Sequence, residues 1–229
     1  MTALDITRHK THLTNILIDI SKESGVGSVL GFKGGTAALL FYGLPRFSVD
    51  LDFDLIPHWE ADSPRFQLFV GRMTKLLAAK YLLKDQSTKY HTLFWLVSYG
   101  AGLTKIKIEI STRDNSHNHY LATPFYGVNI KVIDIKDMIA HKLITVMDRK
   151  SLANRDLFDI HYFLSSAWAA EINYDIINRQ TGYKPREFYL KLLDFVGKIK
   201  PGAKAKLIGE LTGLIQRQID LPLDDQPPG

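Results

Sequence analysis

The sequence has no cysteine, no long uninterrupted apolar run and no glycine-rich phosphate loop of a standard type. Without cysteine, disulfide scaffolds and thiolate zinc sites are excluded. No stretch approaches the length of a membrane-spanning helix. The first nineteen residues interrupt their apolar positions with Asp5, Arg8 and Lys10, which does not make a secretory signal, so the cytoplasm is the expected compartment. The glycine pair Gly34-Gly35 follows Lys33 instead of preceding it, which rules out a P-loop, and it does not fit the dinucleotide fingerprint.

What is present describes a soluble globular chain. Its 229 residues are 45% hydrophobic and 23% charged, enough to bury a core without covalent staples. The formal net charge is +5, and the segment 184–217 alone carries that surplus, with eight Lys or Arg against Glu187, Asp194 and Glu210. A basic helical face attracts phosphate backbones, an attraction that salt weakens; an ordinary solvated face is the plain alternative. Asp224, Asp225 and the proline pair predict a frayed C-terminus.

Periodicity predicts an amphipathic helix through Ile6, Leu13, Ile16, Leu17 and Ile20, a short strand over 28–32, a buried helix over 36–42 and a strand over 49–55. A helix over 65–84 follows, then strands over 90–99, 105–111 and 125–133. Beyond Asp134 the pattern turns helical, over 136–149, 155–168 and two further helices after Lys184. The expected architecture is α+β, a mixed sheet flanked by helices over 1–134 and a helical lobe over 135–229. His117-x-His119 sits in a polar stretch that reads as a loop, and Trp59, Trp95 and Trp168 read as core or interface packing.

The carboxylates carry the chemistry. In the run from Val49 to Leu55, period-2 geometry puts Asp50, Asp52 and Asp54 on one strand face and the apolar residues on the other. Such acids repel one another unless a divalent cation draws them together. The strand Ile106 to Ile110 repeats the alternation with Lys107 and Glu109, which would supply a third carboxylate. Three acids suit a two-metal phosphoryl-transfer site; two amphipathic strands with solvated polar faces are the competing explanation. Gly34-Gly35-Thr36 stands at a strand-to-helix junction ahead of the acids, where backbone amides can approach a triphosphate, and Arg46 and Ser48 immediately precede the acidic strand.

The segment from Gly31 to Asp54, with its Gly-Gly-Thr and Arg-x-Ser-x-Asp-Leu-Asp elements, resembles the signature of the DNA polymerase β-like nucleotidyltransferases. Within them it is similar to the AbiEii/AbiGii toxin family. The resemblance implies that Asp50 and Asp52 bind Mg²⁺ or Mn²⁺, that Gly34, Gly35 and Thr36 hold the phosphates of an NTP with Arg46 and Ser48 beside them, and that Glu109 is the third acid. In the helical lobe, Lys142 and Arg149 share a stripe, and Asp156 and Asp159 stand one turn apart at a helix start. Capping and surface ion pairing explain these residues as readily as phosphate binding does. The family pattern of a lysine ahead of Arg-Asp-x-x-Asp matches Lys142, Asp156 and Asp159, and implies that Lys142 contacts phosphate and Asp156 belongs to the site. The resemblance spans 31–164.

The reading that follows is an NTP-dependent, pyrophosphate-releasing nucleotidyltransferase toxin acting on RNA such as the acceptor end of tRNA, with an antitoxin partner, a role in phage defence and no membrane association. Nucleotidylation of a protein or small molecule, and a non-catalytic nucleotide-binding or interaction module of the same fold, are the alternatives.

Overall fold

Apolar residues at helical spacing build the first element. Helix α1 (Ile6–Lys22) starts at Asp5, whose carboxylate accepts from the Arg8 amide at 3.0 Å, and it buries Leu13, Ile16, Leu17 and Ile20 as one stripe. The computed structural model describes residues 5–61, 63–100, 105–148, 153–200 and 202–223. The chain forms two compact units, Met1–Ile133 and Asp134–Gly229.

The first unit is organised around a seven-stranded mixed sheet. Its strands are β1 (Leu30–Lys33), β2 (Leu51–Leu55), β3 (Leu82–Lys89), β4 (Thr92–Ser98), β5 (Lys105–Ser111), β6 (Tyr120–Phe125) and β7 (Val128–Ile133), in the order β3-β4-β5-β2-β1-β7-β6. Central β2 pairs antiparallel with β1 and parallel with β5, and β1 runs parallel to β7. Three helices accompany α1 in this unit: α2 (Ser24–Gly27), α3 (Gly34–Phe41) and α4 (Pro64–Ala78). Alternation divides the sheet into two faces. Leu51, Phe53 and Leu55 of β2 and Ile106, Ile108 and Ile110 of β5 are buried, as are Phe66, Phe69, Met73 and Leu77 of α4. Buried Trp95 of β4 joins this layer to α4 by donating its indole N–H to Thr74 Oγ1 at 3.0 Å. The acids of β2 and β5 therefore project from the other face.

The second unit contains α5 (Ile135–Asp148), α6 (Asn154–Leu164), α7 (Tyr174–Thr181), α8 (Pro185–Gly197) and α9 (Ala205–Ile219). Its core draws on every one of these helices, including Leu143, Leu157, Phe163, Ile177, Phe188, Leu192 and Ile215. The α+β class is as expected. Among the described residues no helix is long and apolar enough to cross a membrane.

Several boundaries differ from the sequence expectation. The helix expected over 65–84 stops at Ala78, and Leu82 to Lys84 open the edge strand β3, whose largely exposed residues give no apolar alternation to read. The strand expected over 125–133 is the second arm of a hairpin, reversing at Tyr126 and Gly127, both with positive φ (44° and 80°). Its first arm, β6, is another edge strand without a buried face, with Leu121 exposed. The strand expected from Val49 begins at Leu51, which leaves Asp50 just outside the ladder. The helix expected to reach Trp168 ends at Leu164, and α7 has no counterpart in the expectation. Arg149, Asp224 and Asp225 lie outside the described residues.

Candidate active site

Strand pairing brings the second and third acids together. Asp52 of β2 and Glu109 of β5 are register partners, so their side chains leave the same face of adjacent strands. Asp50 joins them through Lys107, whose Nζ lies 3.3 Å from Asp50 Oδ2 and 3.2 Å from Glu109 Oε2. One ammonium thus bridges two of the three carboxylates. Burial, then the charges of Asp50 and Glu109, push the Asp52 carboxyl up to about 6, against the partial relief that Lys107 and Lys33 provide. Burial would lower the Lys107 ammonium, but Asp50 and Glu109 outweigh it and raise its pKa. The cluster is short of positive charge.

The glycine turn lies against this cluster. Strand β1 runs straight into α3, with extended Lys33 as the cap and no side-chain cap bond. Gly34 has φ +79°, and a Cβ there would stand 2.2 Å from Asp52 Oδ2, so both the backbone and the space demand glycine. A Cβ on Gly35 would come within 2.9 Å of Ser48 Oγ and 3.1 Å of Arg46 Nη2. Buried Thr36 donates its hydroxyl to the Asp50 carbonyl, which ties the glycine turn to the first acid. Gly34, Gly35, Thr36, Arg46 and Ser48 are therefore gathered beside Asp50 and Asp52. Among the described residues no three acidic or imidazole side chains converge as a ready-made metal cage.

The third aspartate of the run has a different fate. Asp54 is 2% exposed and accepts from Lys33 Nζ at 2.5 Å, Tyr120 Oη at 2.8 Å and Asn118 Nδ2 at 3.2 Å. Tyr120 and Asn118 carry no signal in the sequence because they come from the polar segment that reads as a loop around His117 and His119.

Lys142, Asp156 and Asp159 belong to the second unit. Lys142 Nζ donates to Asp159 Oδ2 at 2.6 Å, with the lysine side chain 18% exposed and the aspartate fully buried. Asp156 is buried and accepts from the Ala153 amide at 3.2 Å, closing the first turn of α6. Capping and ion pairing, which competed with phosphate binding at the level of sequence, are thus both realised here. Along the basic segment, Lys191, Lys198 and Lys206 each pair at i,i+4 spacing with Glu187, Asp194 and Glu210.

The chain is similar in fold to several solved structures. One, from H. pylori and provisionally described as a nucleotidyltransferase, is 22% identical with a TM-score of 0.60, over 95% of this chain and 96% of that one. JHP933 from Helicobacter pylori is 21% identical with a TM-score of 0.59, over 96% and 94%. An antigenic nucleotidyltransferase-like protein from Paracoccidioides brasiliensis is 13% identical with a TM-score of 0.52, over 87% and 93%. No curated protein sequence matches the chain. The model of the nucleotidyl transferase AbiEii toxins of type IV toxin–antitoxin systems matches residues 16–208, and with the glycine turn and paired acids in place the chain belongs to that family.

Proposed function

We propose that the protein transfers a nucleoside monophosphate from an NTP to an acceptor hydroxyl on RNA, with the acceptor end of tRNA as the favoured target, and releases pyrophosphate. The observation that carries this reading is the register pair Asp52 and Glu109 with Asp50 beside them, three carboxylates of which Lys107 bridges two, pressed against a glycine turn.

The donor set fits Mg²⁺ or Mn²⁺. Its ligands are hard oxygens, and the burial and repulsion that together lift Asp52 to about 6 are what a bound divalent cation would offset. Mg²⁺ is commonly held by one or two carboxylates with water and substrate phosphates, a number that Asp50 and Asp52 can supply. Asp50 and Asp52 would hold the metal with Glu109 as the third acid, and a bound metal would supply electrophilic stabilisation of the phosphoryl oxygens and of the leaving pyrophosphate. The amides of Gly34 and Gly35 would approach the triphosphate where no side chain intervenes, with Arg46 and Ser48 at its flank. Glu109 or an aspartate would take the acceptor's proton, and Lys142, released from Asp159, would neutralise phosphate charge, with Asp156 fixing the start of its helix partner α6. Positioning and electrostatics would then supply most of the rate.

Incubation with each labelled NTP, Mg²⁺ and total RNA or total protein tests the reading. Label on RNA supports it, label on protein moves the acceptor, and no label with any NTP removes the transferase. The family's type IV system supports an antitoxin partner as well. Co-expression with a candidate antitoxin should relieve growth arrest; arrest that persists with active-site variants would separate toxicity from transfer.

A further inference from the structure

Asp50 lies one residue before the paired part of β2, so no strand ladder holds its backbone. Two side chains do so instead. Thr36 donates to the Asp50 carbonyl, and His9, buried in α1, donates from Nε2 to the Val49 carbonyl at 3.0 Å. The two consecutive carbonyls are thereby gripped from two different helices.

The state of His9 follows from its partners. A carbonyl only accepts, so Nε2 carries the proton; in the neutral ring Nδ1 then accepts from Tyr99 Oη, which lies 3.1 Å away. Tyr99 is fixed in turn, stacked on His12 with centroids 4.3 Å apart and with the Arg8 guanidinium 5.8 Å from its ring centre. Arg8, His9 and His12 all come from α1. The edge of Phe47 closes against the His9 ring. His9 occupies the otherwise apolar buried stripe of α1, where a residue needed only for packing would be aliphatic.

We infer that His9 is a positioning residue for Asp50: through the Val49 carbonyl it sets where the first acid of the cluster stands. This rests on the reading of Asp50 as a working carboxylate, and adds that its placement is set from the N-terminal helix. Glutamine can place an amide N–H where Nε2 stands, whereas asparagine is too short to reach the carbonyl.

The test compares His9→Gln with His9→Asn in the full chain. In metal-free protein the Asp50 carboxyl ¹³C resonance should move in the Asn variant and stay near the parent's in the Gln variant, with Asp54 unmoved in both. The His9 ring nitrogens of the parent should show the Nε2–H tautomer. In transfer assays the Asn variant should lose about 10- to 100-fold in kcat with KM for NTP nearly unchanged, and the Gln variant should recover most of that loss. An Nδ1–H tautomer, an Asp50 resonance indifferent to both substitutions, or full kcat in the Asn variant would overturn the inference. If the parent transfers nothing while the Asp50 resonance still responds as described, the transferase reading fails and the positioning role stands.

Discussion

Asp52 and Asp54 occupy the same face of the same strand, two residues apart, and their surroundings are opposite. Asp54 is closed off from solvent with three donors, Lys33, Tyr120 and Asn118. Asp52 faces Asp50 and Glu109, and its carboxyl is raised to about 6. The first arrangement is what a folded protein does with a buried charge when stability is the only concern. The second keeps repulsion in place, which only a ligand of opposite charge makes useful. Identical spacing thus yields an anchor at one end of β2 and a candidate binding site at the other.

The comparison is broken most severely by substitution at the crowded end. Asp50→Ala or Asp52→Ala should lower nucleotide transfer on the order of 10³-fold while leaving metal-free melting unchanged or slightly raised. A large melting loss with transfer intact would make both residues structural. At the satisfied end, Asp54→Ala removes the shared acceptor of Lys33, Tyr120 and Asn118 and should cost about 3 kcal/mol in denaturant unfolding. Little loss there would remove the contrast.

The second unit contains a pair of the satisfied kind that is also expected to work. Lys142→Ala removes the charged donor from buried Asp159, so it should cost about 2 kcal/mol along with NTP affinity. Adding Asp159→Asn should restore most of the stability and none of the affinity. Recovery of both would confine Lys142 to folding. Sequence spacing alone presents this lysine as a solvated helix residue; its burial comes from packing against α6.

pH sharpens the contrast further. Because Asp52 is raised in the folded state, the folded protein binds its proton more tightly than the unfolded chain does. The contribution of Asp52 to stability should therefore be fully present below the ordinary carboxyl range and be lost as pH rises through about 6, on the order of 2 kcal/mol after allowance for solvent screening. Asp52→Asn should flatten this segment of the profile, and Mg²⁺ should do the same in the parent. A slope that survives in Asp52→Asn belongs to another group.

The smallest effect belongs to the basic segment. Reversing Lys198, Lys200, Lys204 and Lys206 together should weaken RNA binding and flatten its salt dependence, leaving NTP binding nearly unchanged. Lys198 and Lys206 already have acidic partners, which reduces the charge available to RNA. Unaltered RNA labelling at physiological salt would make this an ordinary solvated face.

How much of this is legible in the sequence depends on where each signal resides. The acids on β2 and β5 are readable because alternation between apolar and charged residues is local. The glycine turn is readable for the same reason, since its backbone and close-approach demands fall on adjacent positions. Edge strands β3 and β6 are not, because neither buries a continuous apolar face and one-sided burial is what produces the pattern. The partners of Asp54 are hidden too: Tyr120 and Asn118 stand 66 and 64 residues away in sequence, and the parallel pairings of β5 with β2 and of β7 with β1 bring them near. That Asp50 needs support from outside the strand is likewise a fact of three dimensions.

The sheet order bears on when a nascent chain could become active. Asp52 meets Glu109 only after α4, β3 and β4 have emerged, and the parallel partner of β1 arrives last, at β7. Both closures are long-range and entropically late, so a ribosome-bound fragment ending before β5 holds the glycine turn and two acids without their cross-strand neighbour. For a member of a toxin family, this order of synthesis is a delay written into the topology: translation interrupted before β5 leaves a chain without Glu109 and the strand that carries it.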